Sequence, residues 1–163
     1  MPIPKFQMRR KEKEITNRDA IDQIIHNSLI CHLSCSLNDQ PYVVPLSFGY
    51  DGNAVYFHTA REGKKNDILS VNPHVCLGFE HEIQILPDPD LACRWTFHYQ
   101  SVIATGIAKA VTHPKDRLYA IKQIMLHFSD EDWEISEKEL SRTTIWKVIL
   151  TEITGKNSQA NRG

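Results

Sequence analysis

The sequence predicts an α+β fold, with about six short antiparallel strands curled into a closed or partly closed barrel and a few helices packed over its openings. Three observations lead there. In stretch after stretch, apolar residues alternate with polar ones, the period-two signature of half-buried strands. Turn-forming residues stand between the stretches, at Asn38-Asp39-Gln40 and at Asp51-Gly52. Helical stripes are few and follow strands at intervals. The chain of 163 residues has the ordinary size of one domain, and its hydrophobic fraction of 41% and charged fraction of 24% are globular values.

Taken in order, residues 1–15 read as a polar tail, 16–156 as the folded domain and 157–163 as a second polar tail. Arg9, Arg10, Lys11 and Lys13 make a nucleic-acid arm conceivable. Glu12 and Glu14 interrupt that charge, and no aromatic beyond Phe6 is interleaved, which favours a solvated tail or a strap on a partner subunit. Thr16 and Asp19 resemble a helix start, and Ala20, Ile21, Ile24 and Ile25 carry an apolar stripe to about Asn27. Residues 29–37 alternate as a strand that puts Cys31, Leu33 and Cys35 on one face.

Residues 41–58 read as a hairpin with Asp51-Gly52 as a two-residue type I′ turn. That register sets Phe48 opposite Val55 and Pro45 opposite His58. Val44, Leu46, Phe48, Val55 and Phe57 form its apolar face; Pro45, Ser47, Tyr56 and His58 form the other. Thr59-Ala60-Arg61-Glu62 fits a capping box and predicts a helix from Ala60, ended by Asn72-Pro73. A third strand region covers 74–85, followed by a proline-rich loop at 86–90. Residues 96–111 form a long strand, bent or bulged at Gly106. Pro114 opens an amphipathic helix carrying Leu118, Ile121, Ile124, Met125 and Phe128. Residues 144–153 close the barrel with Trp146, Val148 and Leu150 on one face.

Lys64 and Lys65 stand within or just after the first turn of the helix expected from Ala60. Cations there oppose the helix dipole, and a bound anion would resolve the conflict through the free N–H groups of that turn. Two solvated lysines on a short surface helix are the plainer reading, and both stay open at this level.

Composition excludes several classes. A net charge of -1 gives no overall field to recruit nucleic acid or membrane. No stretch is long and apolar enough to span a bilayer, and the N-terminus lacks a signal-peptide core, so a cytoplasmic location is expected. The four cysteines form no C-x-x-C pair, and Cys31 and Cys35 suit small buried hydrophobes better than metal ligands. The eight histidines show no zinc-ligand spacing.

The phrases RRKEKEIT, PYVVPLSFGY, VYFHTAREGKK, YQSVIATGIA and ITGK, in this order, resemble the pyridoxamine-phosphate-oxidase-like family of FMN-binding split barrels, and within it the nitroimidazole-resistance (Nim-like) branch. The resemblance runs from about Met8 to Lys156. It implies a homodimer with FMN at the interface. It implies His58, Thr59, Lys64 and Lys65 around the phosphate, and the backbone of Val44, Pro45 and Leu46 along the flavin edge. Gln100 and Ser101 would add contacts to phosphate or ring. Trp146, with Trp95 and Tyr99, would cover the ring or the dimer seam; as a strand tryptophan it fits a core position equally. For His58 the resemblance leaves two roles, phosphate contact or proton donor beside the substrate, and the residues alone allow a hydrogen-bonded structural histidine. The implied activity is reduction of a nitroaromatic such as a 5-nitroimidazole, or of another small electrophile, with NAD(P)H or another reductant binding transiently because no G-x-G-x-x-G loop is present. A non-catalytic flavin store or sensor, and a split barrel binding haem or a deazaflavin, are the alternatives.

Overall fold

A computed structural model describes residues 8–159. Residues 1–7, with Phe6, and 160–163 are the outer parts of the two expected tails and lie outside the described residues. One antiparallel sheet of eight strands carries the fold: β1 (Glu14–Ile15), β2 (Cys31–Leu37), β3 (Gln40–Leu46), β4 (Gly49–Tyr50), β5 (Ala54–Ala60), β6 (His74–Leu86), β7 (Thr96–Ala110) and β8 (Thr143–Asn157). Among the described residues four α-helices accompany it: α1 (Arg18–Asn27), α2 (Lys64–Val71), α3 (Pro114–Phe128) and α4 (Glu137–Leu140). The strand order is β3-β2-β6-β7-β8-β5-β4, with β1 added on β8. The two end strands of that order, β3 and β4, are consecutive in the chain and joined only by Ser47-Phe48. The curled sheet therefore almost closes, leaving an open seam between them. This is an α+β split barrel.

Two apolar clusters fill the structure. Inside the barrel, Leu33, Phe48, Phe57, Phe79, Leu77, Val102 and Val148 meet Ile21, Ile24 and Ile25 of α1, which plugs one opening. The i, i+3, i+4 spacing of those isoleucines makes α1 one-sided, and Asn17 starts it by accepting the Ala20 N–H at 3.0 Å. Fully burying each such side chain contributes about 1.5–3 kcal/mol. Outside the barrel, α3 lays Ala120 and Ile124 on Ala54, Tyr56 and Ile145.

Much of the expected order is present. Cys31, Leu33 and Cys35 share the buried face of β2. The sheet register shifts at Thr105/Gly106, where a Cβ on Gly106 would stand 2.6 Å from the Ile149 carbonyl oxygen. Pro114 opens α3, and Asn72 ends α2. At the margins, β1 pairs with β8 and Asn157 ends β8, so the folded unit reaches past 16–156 on both sides.

The central hairpin is different from the expectation. Residues 41–50 are not one strand: β3 pairs with β2, and only β4 pairs with β5, through Gly49↔Tyr56 and Tyr50↔Val55. Phe48 drops into the barrel core between them. Gly49 follows because the α3 backbone passes so close that a Cβ there would lie 2.3 Å from the Gln123 carbonyl carbon. The turn is also longer than a type I′ pair. Asp51 Oδ1 accepts from the N–H groups of Asn53 and Ala54 at 2.9 and 2.8 Å, which sets the register two residues away from the expected one. The tight two-residue turn lies instead at Asn38-Asp39, both at positive φ, between Leu37 and Gln40. Pro45 therefore pairs with His32 and His58 with Ile145, so the two residues expected side by side are apart. The capping box is likewise not used. β5 continues through Ala60, opposite Thr143, and α2 begins at Lys64, because the ladder with β8 outweighs the local helix signal.

Candidate functional site

The start of α2 gathers cations at a corner of the barrel. Gly63 occupies the cap position with φ of 133°, a conformation that favours glycine, and no side chain caps the first turn. Lys64 and Lys65 are its first two residues. The Lys64 ammonium lies 5.2 Å from the Tyr42 ring centre, and that of Lys65 lies 5.8 Å from Phe57. Partial burial lowers the Lys65 pKa, while the nearby Cys31 and Cys35 oppose that shift. Among the described residues no carboxylate forms an ion pair with either lysine. Asp67 in the same first turn supplies one negative charge, and two ammonium groups at the positive end of a helix dipole still leave the corner net positive.

Asn66 fixes the corner to the sheet. Its Oδ1 accepts from Thr59 Oγ1 at 2.8 Å and from Trp146 Nε1 at 3.0 Å, and its Nδ2 donates to the Ala60 carbonyl at 2.7 Å. Thr59 is buried, and its one hydroxyl proton is taken up by Asn66 or the Ala60 carbonyl. It therefore positions α2 and does not cap it. Trp146 is only 5% exposed, packed in the barrel core beneath α2. His58, the next residue to Thr59, faces the opposite side of β5, the side of Tyr56, and is exposed.

β3 lies beside this corner, since Lys64 reaches Tyr42. As an end strand it is paired on one side only, to β2. Val44 packs on the core and Leu46 is buried in it, whereas Pro45 faces outward, so these three share a backbone edge and not a side-chain face. Gln100 and Ser101 lie elsewhere. Ser101 pairs with Glu80 and Lys156, and Gln100 with His81 and Asn157. Counted along the strands from Tyr42, that level is five residues away, roughly 17 Å, and three strands across the sheet. Being adjacent, Gln100 and Ser101 point to opposite faces of β7. Trp95 is exposed on the β6–β7 connection, and Tyr99 accepts a 2.6 Å hydrogen bond from Lys156.

Residues 17–157 match the sequence profile of the pyridoxamine 5'-phosphate oxidase family. The chain belongs to that family. Its structure is similar to that of a proposed 5-nitroimidazole antibiotic resistance protein from Bacteroides thetaiotaomicron, with 26% identity and a TM-score of 0.78 over 88% of this chain and 86% of that one. It also resembles a flavocytochrome from Azotobacter vinelandii, at 18% identity and a TM-score of 0.81 over 94% of this chain and 72% of the other. An FAD- and haem-binding protein from Mycobacterium smegmatis gives 16% identity and a TM-score of 0.79 over 90% and 74%. At those two identities the likeness is one of fold. Among curated proteins, RA0666 of Rhizobium meliloti is 30% identical over 63 residues, 39% of this chain, and the match spans 41% of that relative's length.

Sequence reasoning located the two lysines and missed what holds them. Gly63 carried a usable signal, a glycine directly before a lysine pair ahead of an apolar stripe. Asn66 and Tyr42 carried none, because their roles arise only when β3, β5 and β8 come together. Among the described residues no three metal-ligating side chains converge, and no helix is long and apolar enough to cross a membrane.

Proposed function

We propose that the chain is a flavin-dependent oxidoreductase that binds FMN with its phosphate at the start of α2. One observation carries the reading: an uncapped helix start bearing Lys64 and Lys65, with no carboxylate among the described residues paired to them, beside an open sheet edge. The residues fit the group. The first-turn N–H groups and two ammonium groups suit a phosphate dianion. The unpaired edge of β3 at Val44, Pro45 and Leu46 offers backbone polar groups, from Pro45 a carbonyl acceptor only, to the rim of a flat heterocycle. Asn66, held by Thr59 and Trp146, keeps the helix start in place, so those two act as supports of the phosphate site.

The flavin, when bound, supplies the redox chemistry. The chain's own residues bind, orient and protonate. Because His58 faces away from Thr59 and Asn66, it takes the proton-donor role toward the substrate and not a place at the phosphate. Gln100 and Ser101 stand too far from the lysines to share one phosphate with them on a single chain, so a second copy supplies them, in a homodimer with the cofactor between subunits. The acceptor is a nitroaromatic of the 5-nitroimidazole type or a comparable small electrophile, and NAD(P)H the transient reductant; the similarity to the Bacteroides protein supports this choice.

The test is a fluorescence titration of apoprotein with FMN. Lys64→Ala with Lys65→Ala is expected to weaken binding by about 2–3 kcal/mol, the scale of charged hydrogen bonds. Unchanged affinity puts the phosphate elsewhere. Turnover of NADPH with a 5-nitroimidazole by the loaded protein checks the reaction, and a flavin-bound species eluting as a monomer refutes the shared site.

A further inference from the structure

A cavity of about 650 Å³ opens between the start of α3, the end of α4 and the first residues of β8. That volume is typical of small-molecule sites, which run to roughly 300–1,000 Å³. Leu118, Ile135 and Leu140 give it apolar walls, and Arg61, Lys115 and Arg117 line it as cations. No carboxylate is among the described residues that line it, and none of the three cations takes part in an ion pair among the described residues.

Arg117 is held by main-chain carbonyls. Its guanidinium donates to Val111 at 3.2 Å, to Thr143 at 3.1 Å and to Leu140. Neutral carbonyls take three of the five N–H donors of the guanidinium and leave its charge uncompensated, half-buried at the cavity wall. The start of α3, a helix of 15 residues with no side-chain cap from His113, carries Asp116 in its first turn, which does not line the cavity and offsets only part of the cationic field of the three side chains. Apolar walls select a hydrocarbon body, and three unneutralised cations select a negative group on it.

We propose that this cavity binds a small apolar monoanion, of the aromatic carboxylate class. Its hydrocarbon part packs on Leu118, Ile135 and Leu140, and its carboxylate sits among Arg61, Lys115 and Arg117. Lys64 and Lys65 do not line the cavity, so this site stands apart from the phosphate corner and does not depend on the flavin reading.

Isothermal titration of the full chain with 2-naphthoate, and with its neutral counterpart 2-naphthalenemethanol, tests the site. One saturable site is expected for the acid, with affinity falling about tenfold or more for the alcohol, the scale of one charge-assisted hydrogen bond. Arg61→Ala with Lys115→Ala should lower naphthoate affinity by a similar factor. Both side chains are exposed, and an unchanged thermal transition verifies that the variant is folded. Lys64→Ala with Lys65→Ala should leave naphthoate binding as it is. Equal affinity for acid and alcohol, no saturable binding of either, full binding by the folded Arg61/Lys115 variant, or loss of binding in the Lys64/Lys65 variant each overturns the proposal.

Discussion

Two cationic regions stand at this end of the barrel, and they are built in opposite ways. At the start of α2 the charges are lysines, flexible ammonium groups resting over the Tyr42 and Phe57 rings on a corner beside an open strand edge. Beneath α3 the central charge is an arginine, its planar guanidinium tied to three carbonyls in the wall of an apolar hollow. A compact, mobile charge suits a phosphate group that approaches from solvent. A fixed fork in a concave apolar wall suits a ligand whose body is buried and whose charge must be aimed. The difference teaches that two basic patches of similar composition can differ in the shape of anion they accept, because the backbone decides which charge is free to move.

The contrast can be broken most severely at Gly49. α3 reaches its seat only because Gln123 packs on a residue without Cβ, at a spacing of 2.3 Å to where one would be. Gly49→Ala should cost about 3 kcal/mol, the upper range of overpacking, read as a fall in thermal midpoint. Below the transition it should disturb the α3 cavity and spare FMN binding at α2. Equal loss at both sites would mean that the two regions fold as one unit. A smaller effect is expected at Asn66. Asn66→Ala leaves the Trp146 indole N–H unpaired and frees α2 from β5, at a cost of about 1–3 kcal/mol. FMN affinity should fall with it while naphthoate binding holds.

How far these regions were legible in the sequence follows from the range of the interactions that make them. Alternation along Cys31–Leu37, the Gly106 bulge and the Pro114 helix are local or nearly so, and each is where the pattern put it, although that strand begins two residues later than the expected 29–37. Lys64 and Lys65 were legible as a pair at a helix mouth, although the helix begins four residues later than its apparent capping box. The break at Ser47-Phe48 was not legible. Periodicity tells which face of a strand is buried, and nothing in 41–50 says that its two halves pair with different neighbours. The α3 cavity was equally hidden, since Arg61, Arg117 and Leu140 come from three separate segments, and the one motif among them, the apparent capping box around Arg61, pointed to a helix start and not to a cavity wall.

The mildest expected effect concerns pH and the α3 side alone. His127 is half-buried against Phe48, with ring centres 4.2 Å apart, and its Nε2 lies 2.8 Å from the Ser28 carbonyl. Burial lowers its pKa below the usual 6.5, against an opposing contribution from that hydrogen bond. The unfolded chain then takes up the proton first. The stabilisation is fully present above the unfolded pKa and declines as pH falls through it toward the lower folded value. A modest drop in melting temperature below about pH 6.5 should follow, and it should disappear in His127→Gln, which keeps a donor for Ser28 without titrating. The same drop surviving in His127→Gln would assign it to another group.

The seam between β3 and β4 has a consequence for life in a crowded solution. Bare margins of a sheet are where foreign strands attach and where aggregates seed. Here both margins hang on a single two-residue tether, anchored by a phenylalanine sunk in the interior. Neither margin can peel off to recruit a stranger without dragging that anchor and its opposite margin along.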